Sequence, residues 1–351
     1  MRRHSSAVPA AILAAAVALL TLAGPALACG GLIGPNGAVN LLRTTTFVGY
    51  HAGIEHYVTA FAFAGGGGRF GSITPLPGIP SSVERGGDWT LQRLVRETQP
   101  VPEAVALDAR LAGSAAGGVQ VLLQTRIDAL DITVLKGGGD DVGAWAKAHG
   151  FRLPPDAPEV LDFYAERSPI FLAASFDADA AAARGQAIGD GTPIHVTIPT
   201  PNPWVPLRIL GLGKADADRV EADVYLLTDA VPALLPAATG NGMTVAHAAP
   251  ATDGLLSDLR SDKGMGWVPQ GGWLTQLRID AAPSELRYDL AVDASGQGTP
   301  SRVAAGLARP AGADGQAPLV PAGPFLLLVG SYVAGVAALV MRLGRGTVVG
   351  P

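Results

Sequence analysis

Cysteine is almost absent from the chain: Cys29 is the only one in 351 residues. No intrachain disulfide can form, so the fold must be held by burial and hydrogen bonding. Lysine is nearly as scarce, at Lys136, Lys147, Lys214 and Lys263, and the net charge is -5. No basic stripe is visible. That excludes a nucleic-acid partner, whose phosphates demand one. Several catalytic and metal signatures are missing too. There is no G-x-S-x-G elbow, no H-E-x-x-H, no EF-hand loop and no C-x-x-C. Apolar residues are plentiful at 48%, enough for a sizeable core in one or two domains. The 46 glycines and 28 prolines favour many turns and short strands over long helices.

The two ends carry the topological signals. Arg2 and Arg3 precede a short apolar run, Ala10 to Leu22, and Ala26-Leu27-Ala28 has the form of a cleavage site. Residues 1–28 therefore read as a secretory signal peptide. Cleavage there makes Cys29 the first mature residue, open to acylation. Pro324 to Met341 is uncharged over 18 residues. At about 1.5 Å per residue it spans roughly 27 Å, close to a hydrocarbon core. Arg342 and Arg345 follow it and place the tail, 342–351, in the cytoplasm. Residues 294–323 are rich in Gly, Ala and Pro and read as a flexible stalk. The exported body is then 29–293, with a subdomain break expected near 178–191.

Within the body, Val39–Tyr50 and Glu55–Ala64 read as strands of a hairpin about Ala52-Gly53. Phe70–Leu76 is a third strand. Ser81-x-x-Glu84 has capping-box form, enough for one helical turn before Gly86-Gly87. Asp88 is placed to cap a helix whose apolar face holds Leu91, Leu94 and Val95. Val119–Lys136 reads as two strands about a turn near Asp128. Helices are expected near Asp140–Gly150, closed by Phe151, and from Asp156 through Tyr164. Further strands fall at Ile170–Phe176, Ile194–Ile198, Leu207–Leu212, Val220–Leu227, Trp273–Ile279 and Glu285–Val292, with Pro236–Gly272 mostly loop. The pattern is α+β: a mainly antiparallel sheet body with a few short helices, plus one C-terminal transmembrane helix.

Two motifs invite a chemical reading. Gly66-x-Gly68-x-x-Gly71 matches a dinucleotide fingerprint, but the prolines from Pro75 to Pro80 forbid the helix that must receive the pyrophosphate. His51, Glu55 and His56 resemble a metal cluster. A two-residue turn pairs His51 with Ile54, Tyr50 with Glu55 and Gly49 with His56. The two histidines then share a face about 7 Å apart, and Glu55 points the other way. They could begin a zinc site, with a third ligand supplied from elsewhere. The plainer reading is a hairpin tip with two solvated imidazoles. The tryptophans read as core or edge anchors, with Trp267 and Trp273 lying in or beside a Gly/Pro-rich loop.

Several blocks in order, Cys29-Gly30-Gly31, LLRTTTFVGYHAGIEHYVTAF, PLPGIPSSVERGGDWTLQRL, WAKAHGFRLP and TPNPWVPLRILGL, resemble a family of bacterial envelope proteins, domain of unknown function 2330. The likeness covers most of the body. It implies an exported, often membrane-anchored protein and no established catalytic residues. Some relatives carry a second cysteine soon after the first. Cys29 stands alone here, which removes the support for a family disulfide or metal-thiolate site.

Three functions fit these readings. The first is a non-enzymatic, membrane-anchored surface module, one span, binding a protein or envelope component. The second is a metal-dependent envelope hydrolase with His51 and His56 as ligands. The third is a subunit of a membrane complex docking through Gly330, Ser331 and Gly335.

Overall fold

A computed structural model describes residues 31–34, 37–38, 44–62, 70–98, 120–185, 191–240 and 242–310. The expected signal peptide (1–28), Cys29, Gly66, Gly68, the expected span 324–341 and the expected tail 342–351 lie outside the described residues. Among the described residues no helix is long and apolar enough to cross a membrane.

The chain opens with short strands β1 (Gly31–Gly34) and β2 (Gly37–Ala38), then the hairpin β3 (Thr44–His51) and β4 (Ile54–Ala62). Strands β5 (Phe70–Pro75) and β6 (Ser82–Arg85) lead into helix α1 (Thr90–Thr98). A second hairpin, β7 (Gln120–Ile127) and β8 (Leu130–Lys136), precedes α2 (Gly139–Ala148), α3 (Ala157–Ala165), β9 (Ile170–Phe176) and the short α4 (Ala178–Ala182). Next come β10 (Gly191–Pro199), β11 (Trp204–Val205), β12 (Val220–Thr228), β13 (Ala233–Leu235), β14 (Thr239–Gly240) and β15 (Met243–Pro250). Helix α5 (Asp253–Ser261), β16 (Trp273–Ala281) and β17 (Leu290–Asp293) finish the body.

Eight strands form one sheet in the order β14-β15-β16-β12-β3-β4-β10-β6. Only β12 and β3 run parallel. A six-stranded antiparallel sheet, β2-β1-β5-β9-β8-β7, packs against it. Strand alternation explains the packing, since each strand sends alternate side chains to opposite faces. Val48, Tyr57, Val196, Val224 and Leu226 meet Ile132, Val134, Leu172 and Phe176 between the sheets. The next residues along, Phe47, Val58, Tyr225 and Leu227, face outward beneath Leu91 and Leu94 of α1 and Leu255, Leu256 and Leu259 of α5. Ile73, Leu135, Phe171 and Ala173 do the same for the six-stranded sheet, under α2 and α3. The body is therefore an α+β sandwich of four layers, mainly antiparallel. A small sheet, β11-β17-β13, completes it.

Most of the expected elements are present. The first hairpin has the expected register, with His51 opposite Ile54 and Gly49 opposite His56. Its turn, Ala52 (φ 51) and Gly53 (φ 79), is left-handed at both positions, as a two-residue hairpin requires. Helix α2 ends in a Schellman motif: Phe151 N–H donates to Ala146 O and Gly150 N–H to Lys147 O.

Four local readings are corrected. Ser82–Arg85 is a strand, not a helical turn, because it pairs with Ile194–Thr197 of β10. A ladder outweighs a single turn, which never repays its nucleation. Arg208–Gly211 is a 3-10 turn, not a strand, because Leu207 and Arg208 N–H donate to Asp289 and Ile209 N–H to Tyr164 Oη. Pro236–Gly272 holds β15 and α5, the latter capped by Thr252 Oγ1. Glu285 ends a 3-10 turn that opens at Pro283, so the last strand begins only at Leu290.

The body also packs further along the chain than Asp293. Ala304 and Ala305, which the sequence places in the stalk, are buried with Trp145, Tyr164 and Trp204.

Candidate functional site

The first hairpin carries the candidate residues on two faces of the eight-stranded sheet. Gly49, His51 and His56 lie on one, Tyr50 and Glu55 on the other. Strand β10 lies beside β4 with Thr197 opposite His56 and His195 opposite Val58. His195 is thereby a diagonal neighbour of His56 on the same face. His56 Nδ1 and His195 Nε2 stand 2.9 Å apart. Thr197 Oγ1 lies 3.4 Å from the same His195 nitrogen.

Trp267, from the loop after α5, covers the pair. Its indole stacks on the His56 ring at 3.9 Å between centroids, with 2° between the planes. Gly49 permits this approach, since a Cβ there would come within 2.4 Å of Trp267 Cζ3. Burial pushes the His56 ring down to about 4, helped by the neighbouring His51. Burial, then His56, brings His195 down to about 4. Both imidazoles are neutral at neutral pH. His195 Nδ1 and Trp267 Nε1 are buried without a hydrogen-bond partner.

His51 does not join them. Exposed at the hairpin tip, it is 2.7 Å from Asp229 Oδ1 at the end of β12. The expected pairing of His51 with His56 is thus replaced by two separate pairs, His56–His195 and His51–Asp229. Among the described residues no three His, Cys, Asp or Glu side chains are grouped where they could hold one metal ion together. His56 is half-buried under an indole rather than solvated. His195 could have been found from the sequence only by aligning β10 beside β4. Trp267 gave no signal beyond its glycine-rich setting.

On the opposite face Glu55 is wholly buried. Its Oε2 accepts from Trp204 N–H at 3.2 Å, and Oε1 has no partner. Burial pushes its carboxyl up to about 8 against the single backbone donor. Its cross-strand neighbour Tyr50 donates to Thr200 O at 2.9 Å.

A second polar assembly lies at the six-stranded side. Asp289 Oδ1 accepts from Tyr164 Oη–H and from the Leu207 and Arg208 amides, and Oδ2 pairs with Arg167. Arg167 also donates to Ala304 O and lies over Phe163, Tyr164 and Trp204. Nothing in the sequence marks Asp289. A third device holds α1: Asp262 accepts from the Asp88 and Trp89 amides and from Thr90 Oγ1–H. Asp88, the expected cap, pairs with Arg85 instead.

The class of protein these features define is a four-layer α+β body with a covered histidine pair on its larger sheet. Residues 24–285 match a family described as an uncharacterised protein conserved in bacteria (DUF2330), and the chain belongs to that family. No curated protein matches the chain. Among solved structures it is similar to a mutated baculovirus P35 after caspase cleavage, at 8% identity over 73% of this chain and 98% of that one, with a TM-score of 0.38. Baculovirus P35 itself is similar at 7% identity over 71% and 96%, with a TM-score of 0.36. Likeness at that level carries no argument.

Proposed function

We propose that the chain is a membrane-anchored, extracytoplasmic module that binds an extended, uncharged segment of a partner polypeptide. The signal-like start, Arg2 to Ala28, and the uncharged run Pro324 to Met341 support the placement. One observation carries the binding mode. At one end of the eight-stranded sheet, β15 is paired on its inner side with β16 from Met243 to Pro250, with a bulge between Val245 and His247, but on its outer side with β14 only at Met243 and Thr244. Among the described residues no strand covers the outer side from Val245 to Pro250. These residues are mostly exposed, Val245 at 47%, and β15 carries no Lys, Arg, Asp or Glu. Sheet edges are ordinarily blunted by charge because their free amides and carbonyls recruit other strands. An uncharged, exposed edge fits strand addition by a partner.

A photo-crosslinking residue placed at Val245 or Ala248 in the native host tests this. A discrete adduct from both positions, absent at Ile79, which is equally exposed elsewhere, is the expected result. No adduct, or the same adduct from Ile79, overturns the reading. Protease added outside spheroplasts should remove the body; full protection would overturn the placement.

A further inference from the structure

We propose that His56 and His195 are the protein ligands of a first-row transition-metal ion, zinc(II) or copper(II), bound beneath Trp267. The inference stands apart from the β15 reading and replaces the His51–His56 pair suggested by the sequence.

The geometry is close to that of a bound ion. His56 Nδ1 and His195 Nε2 face each other 2.9 Å apart, one ring donating its N–H to the other. A tetrahedral ion with metal–nitrogen bonds of about 2.0–2.1 Å would hold two such nitrogens about 3.3 Å apart. The nitrogens need part by only about 0.4 Å, and each lone pair turns about 35° off the nitrogen–nitrogen line to aim at the ion.

The surroundings favour ligation over protonation. A ligating imidazole must be neutral, and the apolar cover disfavours a charged ring: the Trp267 indole lies 3.9 Å from the His56 centroid and 5.3 Å from that of His195. The shared proton moves to the distal nitrogen of whichever ring holds it, so both inner lone pairs face the ion. His195 is nine-tenths buried, and its Nδ1, the ring nitrogen turned away from His56, has no other partner and carries the ring's remaining proton when Nε2 ligates. The indole of Trp267, flat on His56 and seated over Gly49, fixes the ring plane in advance. His56 is only half-buried, so solvent can fill the remaining coordination positions. Two imidazoles without a carboxylate select nitrogen-seeking ions and disfavour magnesium and calcium.

Titration calorimetry of the purified full chain with zinc chloride tests the site, with cobalt(II) absorption as a second readout. One equivalent of zinc and visible cobalt bands of tetrahedral intensity are expected, with copper(II) tighter than zinc and no heat from magnesium. His56→Asn and His195→Gln should each weaken zinc at least tenfold and abolish the cobalt bands. His51→Ala should leave both unchanged. His56 is partly exposed, so His56→Asn keeps the test valid if His195→Gln fails to fold. No stoichiometric zinc, uptake that survives His56→Asn, or uptake lost in His51→Ala overturns the proposal.

Discussion

The Asp289 assembly and the His56–His195 pair are both buried and polar, yet they are built on opposite principles. Asp289 is 0% exposed, and each carboxylate oxygen has a donor: a phenol and two amides on one, a guanidinium on the other. Arg167 is in turn satisfied by two carbonyls, Phe163 O and Ala304 O, and sandwiched among three aromatic rings. Nothing is left over for a ligand. The histidine pair shares one hydrogen bond, carries no charge at neutral pH and leaves His195 Nδ1 unpartnered. Buried polar groups are normally paired, so a closed set indicates architecture and an incomplete one marks where a further group could bind. The Asp289 assembly ties α3, the 3-10 turn at Arg208–Gly211 and the residues before β17 into one unit. The histidines tie nothing that β4 and β10 do not already hold.

Breaking the closed assembly should have the largest effect. Asp289→Ala strands a buried guanidinium, the Tyr164 hydroxyl and two amides at once. Removing one partner of a buried ion pair costs about 3–5 kcal/mol, and urea unfolding should show a loss of that size. A loss below about 1 kcal/mol, the range of exposed pairs, would mean that water replaces the carboxylate and that the assembly is not closed.

Glu55→Gln tests the third kind of buried group, one that changes charge. Folding raises the Glu55 carboxyl from its ordinary 4.5 to about 8, so the folded protein holds a proton that the unfolded chain releases. Its stabilising effect is complete below pH 4.5 and is lost as pH rises toward 8. His56 and His195 act in the opposite sense. Their folded values, about 4, lie below the ordinary 6.5, so they make stability rise with pH between those limits. The two trends oppose each other up to pH 6.5, and above it only Glu55 remains of the three. From pH 6.5 to 8 the parent should lose about 2 kcal/mol, at about 1.4 kcal/mol per pH unit. Glu55→Gln keeps an acceptor for the Trp204 amide and should flatten that decline. Parallel urea midpoints at pH 6.5 and 8 would show that Glu55 is ionised throughout.

These assemblies differ in how far the sequence disclosed them. The hairpin of β3 and β4 was legible to the residue, because a two-residue turn fixes register and register fixes faces. That placed Glu55 on one face and His51 with His56 on the other. The partner of His56 was not legible, since His195 lies 139 positions away and joins only through the pairing of β10 with β4. The same limit explains α1. Its start was readable from Leu91 and Leu94, but its cap, Asp262, arrives from the end of α5. Asp88 was the local candidate, and locality misled. The 3-10 turn at Arg208–Gly211 read as a strand because Ile209 and Leu210 are apolar; its amides are taken by Asp289 and Tyr164, which no local pattern reveals.

The smallest expected effect concerns the open region and isolates how Trp267 is held there. At Gly49 an added Cβ would meet the indole at 2.4 and 2.5 Å, and no other group is as close. Gly49→Ala must therefore lift Trp267 from the sheet and from the His56 ring. Overpacking of this kind costs about 1–3 kcal/mol. The cost should vanish when Trp267→Ala is made first, because the methyl then enters space the indole has left. A double-mutant cycle on urea midpoints measures this coupling directly. A coupling near zero would mean that strand β3, rather than the indole, resists the methyl, and that Trp267 is not pinned over the histidines. A coupling of the full size would show that one missing methyl group in β3 sets the plane of the His56 ring. That makes the open region as dependent on long-range packing as the closed one, although its hydrogen bonds are fewer.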